Sequence, residues 1–325
     1  MEKILIETRR QGATTQRTTQ CERKKLKICI LCTFLLSGLF IFGASRLLGV
    51  KDYVAAQIVY IFDITREPTI HHILPSAYAL EALDELLARH GDDISVYFEN
   101  IETGFVYSFN ADHVYFSASV PKAMYALYLY QLAERGEVNL DSVHEFTYGD
   151  ANWGSGIIQR QYDFGATFTL RELLRLNISE SDNVATNILR RTNGIYGYKN
   201  FISRVGGNLA LVGNNVMNSN LTANEAGLFA NEIFAYIESG GRYSYEFKSL
   251  LLNNRFPFIV SCYPVASKTG WTAYRAWHDM AIVYAPSPFI LVILSARDGW
   301  SDDDFADFAE ISMAFQEFND KWFVD

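Results

Sequence analysis

Residues 116–124 read FSASVPKAM and run straight into YALYLYQLAERG (125–136). Up to Glu134 this segment is apolar almost all round, a pattern that predicts a helix buried in a core and closed by Gly136. Lys122 is its only charge before Glu134. A lysine in such a place is rare unless paired, because burial disfavours the ammonium form and drags its pKa down. Ser119 stands three residues earlier, one helical turn away on the same face. A serine hydroxyl is a weak nucleophile that needs an adjacent base, and a partly neutral amine is such a base. Ser-x-x-Lys alone is equally compatible with an N-cap serine and a snorkelling lysine, so the rest of the chain has to decide.

Outward from that segment the periodicity switches repeatedly. YALEALDELLARHG (78–91) has helical spacing and stops at a glycine. ISVYFENIETGFVYSFN (94–110) alternates on both sides of ETG and predicts a β-hairpin. A stretch rich in Gly, Asp and Asn (148–169) separates the apolar helix from LRELLRLNI (170–178). SDNVATNILRRTNG (181–194) predicts another helix ended by Asn193-Gly194, and LTANEAGLFANEIFAYIESGG (221–241) a further one with Thr222 and Glu225 as a capping box. YPVASKTGW (263–271), HDMAIVYA (278–285) and FILVILSA (289–296) predict three consecutive strands, followed by a helix from Ser301. Strands at both ends and helices between them predict an α/β (α+β) domain: an antiparallel sheet flanked by helices, plus an all-helical part.

Two further motifs give the Ser119/Lys122 pair a context. Ser181-Asp182-Asn183 opens a helix, and Lys268-Thr269-Gly270 sits on a predicted strand. Ser-x-x-Lys, Ser-Asp-Asn and Lys-Thr-Gly in this order form the set of class A β-lactamases and penicillin-binding proteins. Over roughly residues 77–323, including the TG of the first hairpin and HDMAIVYAP after KTG, the chain resembles the penicillin-recognising serine hydrolases, nearest the class A β-lactamase branch. The resemblance implies a β-lactamase/D,D-peptidase-like fold and an acyl-enzyme on Ser119, with Lys122 as base and Ser181 relaying a proton to the leaving nitrogen. It further implies that Asn183 holds Lys122 and the substrate amide, that Lys268 and Thr269 bind the substrate carboxylate, and that the N–H groups of Ser119 and Trp271, beside Gly270, make the oxyanion hole. Its substrates would be β-lactams or peptidoglycan stem peptides, and no metal or organic cofactor is implied. Arg275, two residues before Trp277 on a predicted strand, is a further candidate for the substrate carboxylate.

The sequence departs from that family in one respect. Class A enzymes activate the deacylating water with a glutamate between the second and third motifs, whereas no Asp or Glu occurs between Asn183 and Glu225. Acylation is therefore expected and fast hydrolysis is not. The outcomes left open are a D,D-peptidase, a β-lactamase or esterase that deacylates in another way, and a sensor that stays acylated.

Charge and hydropathy divide the 325 residues unequally. Nine Lys/Arg face three Asp/Glu up to residue 50, and 19 face 34 afterwards. A body this acidic argues against nucleic acid as a partner. Residues 28–45 (ICILCTFLLSGLFIFGAS) carry no charge, and eight Lys/Arg precede them. This pattern predicts a cytoplasmic tail (1–27), a single-pass anchor (28–50), a connector (51–75) and an extracellular domain (76–325) on the cell membrane. A cleavable signal peptide is the alternative. Cys29 and Cys32 fall within the apolar span and Cys262 is alone in the body, so no disulfide is expected within the domain. His71 and His72 read as solvated loop residues.

Overall fold

The computed structural model describes residues 75–324, apart from 92, 209–211, 213–215, 218, 274 and 298–301. The predicted tail and anchor, and all of the connector but Pro75, lie outside the described residues. Among the described residues no helix is long and apolar enough to cross a membrane.

The described chain begins with α1 (Ala77–Ala88), whose first turn is capped by the Ser76 side chain accepting from the Ala79 N–H. Then come the hairpin β1 (Ile94–Asn100) and β2 (Phe105–Phe109), the short β3 (Tyr115–Phe116) and α2 (Lys122–Glu134). The middle of the chain forms β4 (Val143–Glu145), α3 (Ile158–Gln161), β5 (Thr167–Thr169), α4 (Leu170–Ser179), α5 (Asn183–Asn193) and α6 (Tyr196–Arg204). The last part holds β6 (Asn220–Leu221), α7 (Ala223–Glu238), α8 (Ser244–Leu252), β7 (Val265–Thr272), β8 (Ala276–Val283), β9 (Phe289–Ser295) and α9 (Asp302–Trp322).

The main sheet runs β2-β1-β9-β8-β7 and is antiparallel throughout. Of its three inner strands, β8 and β9 are buried at every position, as a sheet covered on both faces requires. One face packs against α1 and α9 through Leu83, Leu87, Phe308, Ile311 and Phe315. The other packs against a larger layer that includes α2, α4, α5 and α7. The expected α+β architecture, an antiparallel sheet flanked by helices with a helical part between the chain ends, is the one observed.

Two local expectations need correction. The apolar helix starts at Lys122 rather than at Ser119, with Pro121 as its N-cap. Proline lacks an N–H and fixes φ, so residues 117–122 instead wind in tight turns in which Val120 N–H donates to Ser117 O and Lys122 N–H to Ser119 O. In the proposed capping box, Thr222 Oγ1 does accept from the Glu225 N–H at 3.1 Å. The Glu225 carboxylate does not reach back; it is buried and accepts from the Asn208 N–H at 2.8 Å. Burial pushes this carboxyl up to about 7.

Phe98 is fully buried, with the rings of Phe105, Phe289, Phe315, Phe318 and Phe323 all within 6.5 Å. Phe98→Ala is expected to cost about 3–5 kcal/mol, a large part of a typical domain's stability, read as a fall in the denaturant midpoint at unchanged slope. A loss under about 1 kcal/mol would show that this ring cluster is not what joins α9 to the sheet.

Candidate active site

Three separate segments meet at a cleft of about 630 Å³ lined by Ser119, Ser181, Asn183, Thr269 and Trp271, among others. Ser119 comes from the turn before α2, Ser181 and Asn183 from the α4–α5 connection, and Thr269 and Trp271 from the edge strand β7. An edge strand leaves one row of backbone N–H and C=O groups unpaired by the sheet, which suits it to line a peptide-binding cleft.

The two lysines stand at the centre of the site, and both are fully buried. Lys122 Nζ donates to Ser181 O at 2.6 Å, Asn183 Oδ1 at 2.8 Å and Ser181 Oγ at 3.4 Å. Lys268 Nζ donates to Ser181 Oγ at 3.0 Å and Thr269 O at 2.8 Å. The Ser181 hydroxyl is thus the point where both amines converge. Burial holds Lys122 well below the ordinary lysine range; the charge of Lys268 pushes the same way, and Asp182 opposes it. Burial pulls Lys268 down to about 7, against the opposing charge of Asp279.

Ser181 reaches this position in a left-handed backbone conformation, φ 52°, a strained choice for a residue with a Cβ. Asp182 fixes it there. Its Oδ1 caps α5 by accepting from Val184 N–H and Ala185 N–H, and its Oδ2 accepts from Ile157 N–H at 2.7 Å and Ile158 N–H at 2.9 Å. One buried carboxylate therefore ties the loop before α3 to the start of α5. The fit leaves no room for a side chain at Gly156, where a Cβ would lie 2.2 Å from Asp182 Cγ. That loop supplies Asn152 and Trp153 to the cleft wall, and Asn183 Nδ2 donates to Asn152 Oδ1 at 3.4 Å. On the opposite side, a Cβ on Gly270 would lie 2.9 Å from both Ser117 O and Ser119 N, so β7 lies against the serine turn because position 270 has none.

Of the residues singled out from the sequence, Ser119, Lys122, Ser181, Asn183, Lys268, Thr269, Gly270 and Trp271 come together here. Arg275 does not. It is exposed in the turn ahead of β8 and is not among the lining residues. Strand alternation does not reach it, because β8 begins at Ala276, while Trp277 stacks on Phe258 at 3.7 Å in the α9-side layer. The cleft's arginines are instead Arg160, whose guanidinium donates to Gly154 O and Gly156 O, and Arg255, paired with Glu180 at 2.8 Å. Sequence reasoning missed these two, along with Trp153, Met217 and Phe256. All five lie in or beside loops without periodicity, and only the exposed aromatic Trp153 within a Gly-rich stretch was a usable signal. Among the described residues, His90, Asp307 and Glu310 form a group compact enough to hold a cation. Its carboxylates already pair with Arg297 and Arg89, which makes it an ion-pair network away from the cleft lining.

A family model described as the Beta-lactamase enzyme family matches residues 79–316. No curated protein sequence matches the chain. Similar solved structures include a beta-lactamase from Sphaerobacter thermophilus (17% identity, TM-score 0.63, 73% of this chain and 97% of that one). PBP-A is a second (17%, 0.66, 76% and 98%), and TLA-3 extended-spectrum beta-lactamase a third (18%, 0.64, 74% and 98%). At such identities the structural likeness speaks to the fold, and the family match covers most of the folded part. The chain belongs to the beta-lactamase enzyme family.

Proposed function

We propose that the protein is a membrane-anchored serine acyl-transfer enzyme that forms an ester on Ser119 with β-lactams or D-Ala-D-Ala-type cell-wall peptides and loses that acyl group slowly. The observation that carries this reading is the convergence of two buried amines on the hydroxyl of Ser181, which lines the same cleft as Ser119. Ser119 Oγ attacks the substrate carbonyl while its proton passes to Lys122, whose amine burial shifts towards the unprotonated form that a base needs. The N–H groups of Ser119 and Trp271 receive the developing oxyanion. Collapse of the tetrahedral intermediate breaks the C–N bond, and the leaving nitrogen takes its proton through Ser181 from the lysine side. Lys268, in its charged form, and Thr269 Oγ1 hold the substrate carboxylate.

Slow deacylation follows from the loop that leads to β6. Residues 205–220 (VGGNLALVGNNVMNSN) contain no carboxylate, and the next one, Glu225, is held by the Asn208 N–H and is not among the cleft-lining residues. One similar structure is an acyl-enzyme complex of a PBP-A mutant with penicillin G, which accords with this reading. The anchor and the extracellular placement rest on the charge-free segment 28–45 and the eight basic residues ahead of it. A peptidase reading is favoured over a fast β-lactamase by the same missing carboxylate.

A fluorescent penicillin is expected to label the wild type covalently, one per chain, and to leave Ser119→Ala unlabelled; label on the variant would exclude Ser119 as nucleophile. With nitrocefin, a stoichiometric burst followed by slow release is expected, whereas rapid steady turnover would defeat the slow-deacylation reading. The second-order acylation constant reports groups of the free enzyme. It is expected to fall as the pH rises through about 7, where Lys268 loses the proton that holds the substrate carboxylate. Lys268→Arg should move that limb to higher pH, since a guanidinium stays charged; an unmoved limb would mean that another group titrates.

A further inference from the structure

β8 carries the dipeptide His278-Asp279, and strand alternation sends the two side chains to opposite faces of the sheet. Asp279 accepts from Phe258 N–H at 2.8 Å and Ile259 N–H at 3.0 Å, in the segment just beyond the cleft residue Phe256. His278 is fully buried and points the other way. Its Nδ1 accepts from the Ser295 N–H at 3.1 Å. That fixes the neutral tautomer with the proton on Nε2, which donates to Phe116 O at 2.8 Å.

Phe116 lies three residues ahead of Ser119, and the backbone between them is tightly held. Ser117 N–H donates to Ser219 O at 2.9 Å and the two seryl hydroxyls are 2.8 Å apart. Ala118 takes a left-handed φ of 47°. In the sheet register His278 faces Gly270, the residue against which Ser117 O and Ser119 N are packed. The β7–β8 pair therefore meets the serine turn at two adjacent points, by close backbone contact at Gly270 and by a hydrogen bond at His278. Tyr115 meets the imidazole edge-on at 5.7 Å, with His113 4.6 Å beyond it. Burial pushes the imidazole down to about 4, so the ring is neutral near pH 7 and the Nδ1 lone pair is available to Ser295.

We infer that His278 is a positioning residue whose Nε2–H bond to the Phe116 carbonyl sets the backbone of the 117–119 turn, and with it the Ser119 hydroxyl and N–H. The inference rests on the reading that Ser119 is acylated. Without the bond a part-buried carbonyl loses its imidazole donor, and displacement of a nucleophile by a fraction of an ångström slows attack more than it weakens binding.

The test separates the acylation rate constant from the preceding binding constant for a fluorescent penicillin, with the wild type as control. His278→Phe keeps the ring bulk and removes both hydrogen bonds, whereas His278→Gln keeps an N–H that can reach Phe116 O. The Phe variant is expected to acylate about tenfold more slowly or worse with binding changed less than about twofold, and the Gln variant to recover most of the rate. A Phe variant as fast as the wild type, or a Gln variant no faster than Phe, overturns the inference. NMR of the His278 imidazole in the wild type supplies an arm that depends on neither variant folding nor on acylation. The Nε2–H tautomer, unprotonated on Nδ1 until the pH falls to about 4, supports the brace; the opposite tautomer, or titration at the ordinary value of 6.5, overturns it. If the wild type takes no label, the acylation reading fails separately, and the NMR arm still decides whether His278 holds the turn.

Discussion

Two primary amines are buried side by side beneath one cleft, and the structure around them is organised to make that tolerable. Neither Lys122 nor Lys268 reaches water, so each must find acceptors on the protein: Ser181 O, Asn183 Oδ1 and Ser181 Oγ for the first, Thr269 O and the same Oγ for the second. Those acceptors belong to segments far apart in the chain. The left-handed backbone at Ser181 and the buried Asp182 carboxylate with its four backbone donors are the means of holding them in register. The arrangement also links stability to pH. Lys268 gives up its proton near 7 in the fold, well below its ordinary value of 10.5 in the open chain. Above about pH 7 the unfolded state therefore binds the extra proton, and the fold gains stability as the pH rises towards 10.5.

Much of this was legible in the sequence where side-chain type and period speak together. The almost unbroken apolar run 123–133 gave away α2, the alternations around ETG and the apolar runs around KTG gave the sheet, and Lys122 stood out because its neighbours excluded water. The loops were not legible, because their positions follow from single long-range bonds. Ile157 and Ile158 are placed by a carboxylate about 25 residues on, and Phe258 and Ile259 by one about 20 residues on. No local pattern announces such partners, so Trp153, Arg160, Met217, Arg255 and Phe256 were not foreseen in the cleft. Arg275 failed for a related reason: alternation was extended one residue beyond the strand that enforces it. Glu225 failed because a backbone donor at Asn208 outcompeted its own helix end.

Membership of the beta-lactamase enzyme family fits a body in which the three motifs read from the sequence meet at one cleft. The lysines, Ser181 and Asn183 are tied to one another by short side-chain bonds. Nearby, the Asn208 N–H donates to Glu225, and Ser219 bonds to Ser117. Residues 205–220 carry no charge, and the carboxylate that follows them, Glu225, accepts from the Asn208 N–H.

The order of strands in the sheet bears on how the protein is made. β1 is hydrogen-bonded along its length to β9, with Ile94 opposite Ser295, about 200 residues later in the chain. A ribosome must therefore release almost the whole domain before the sheet can close, and the strand bearing Lys268 is itself drawn from that late portion. Unfinished or truncated chains hold Ser119 but not its surroundings. The hydroxyl at position 119 gains the cleft wall that β7 supplies only when synthesis of the domain is essentially complete.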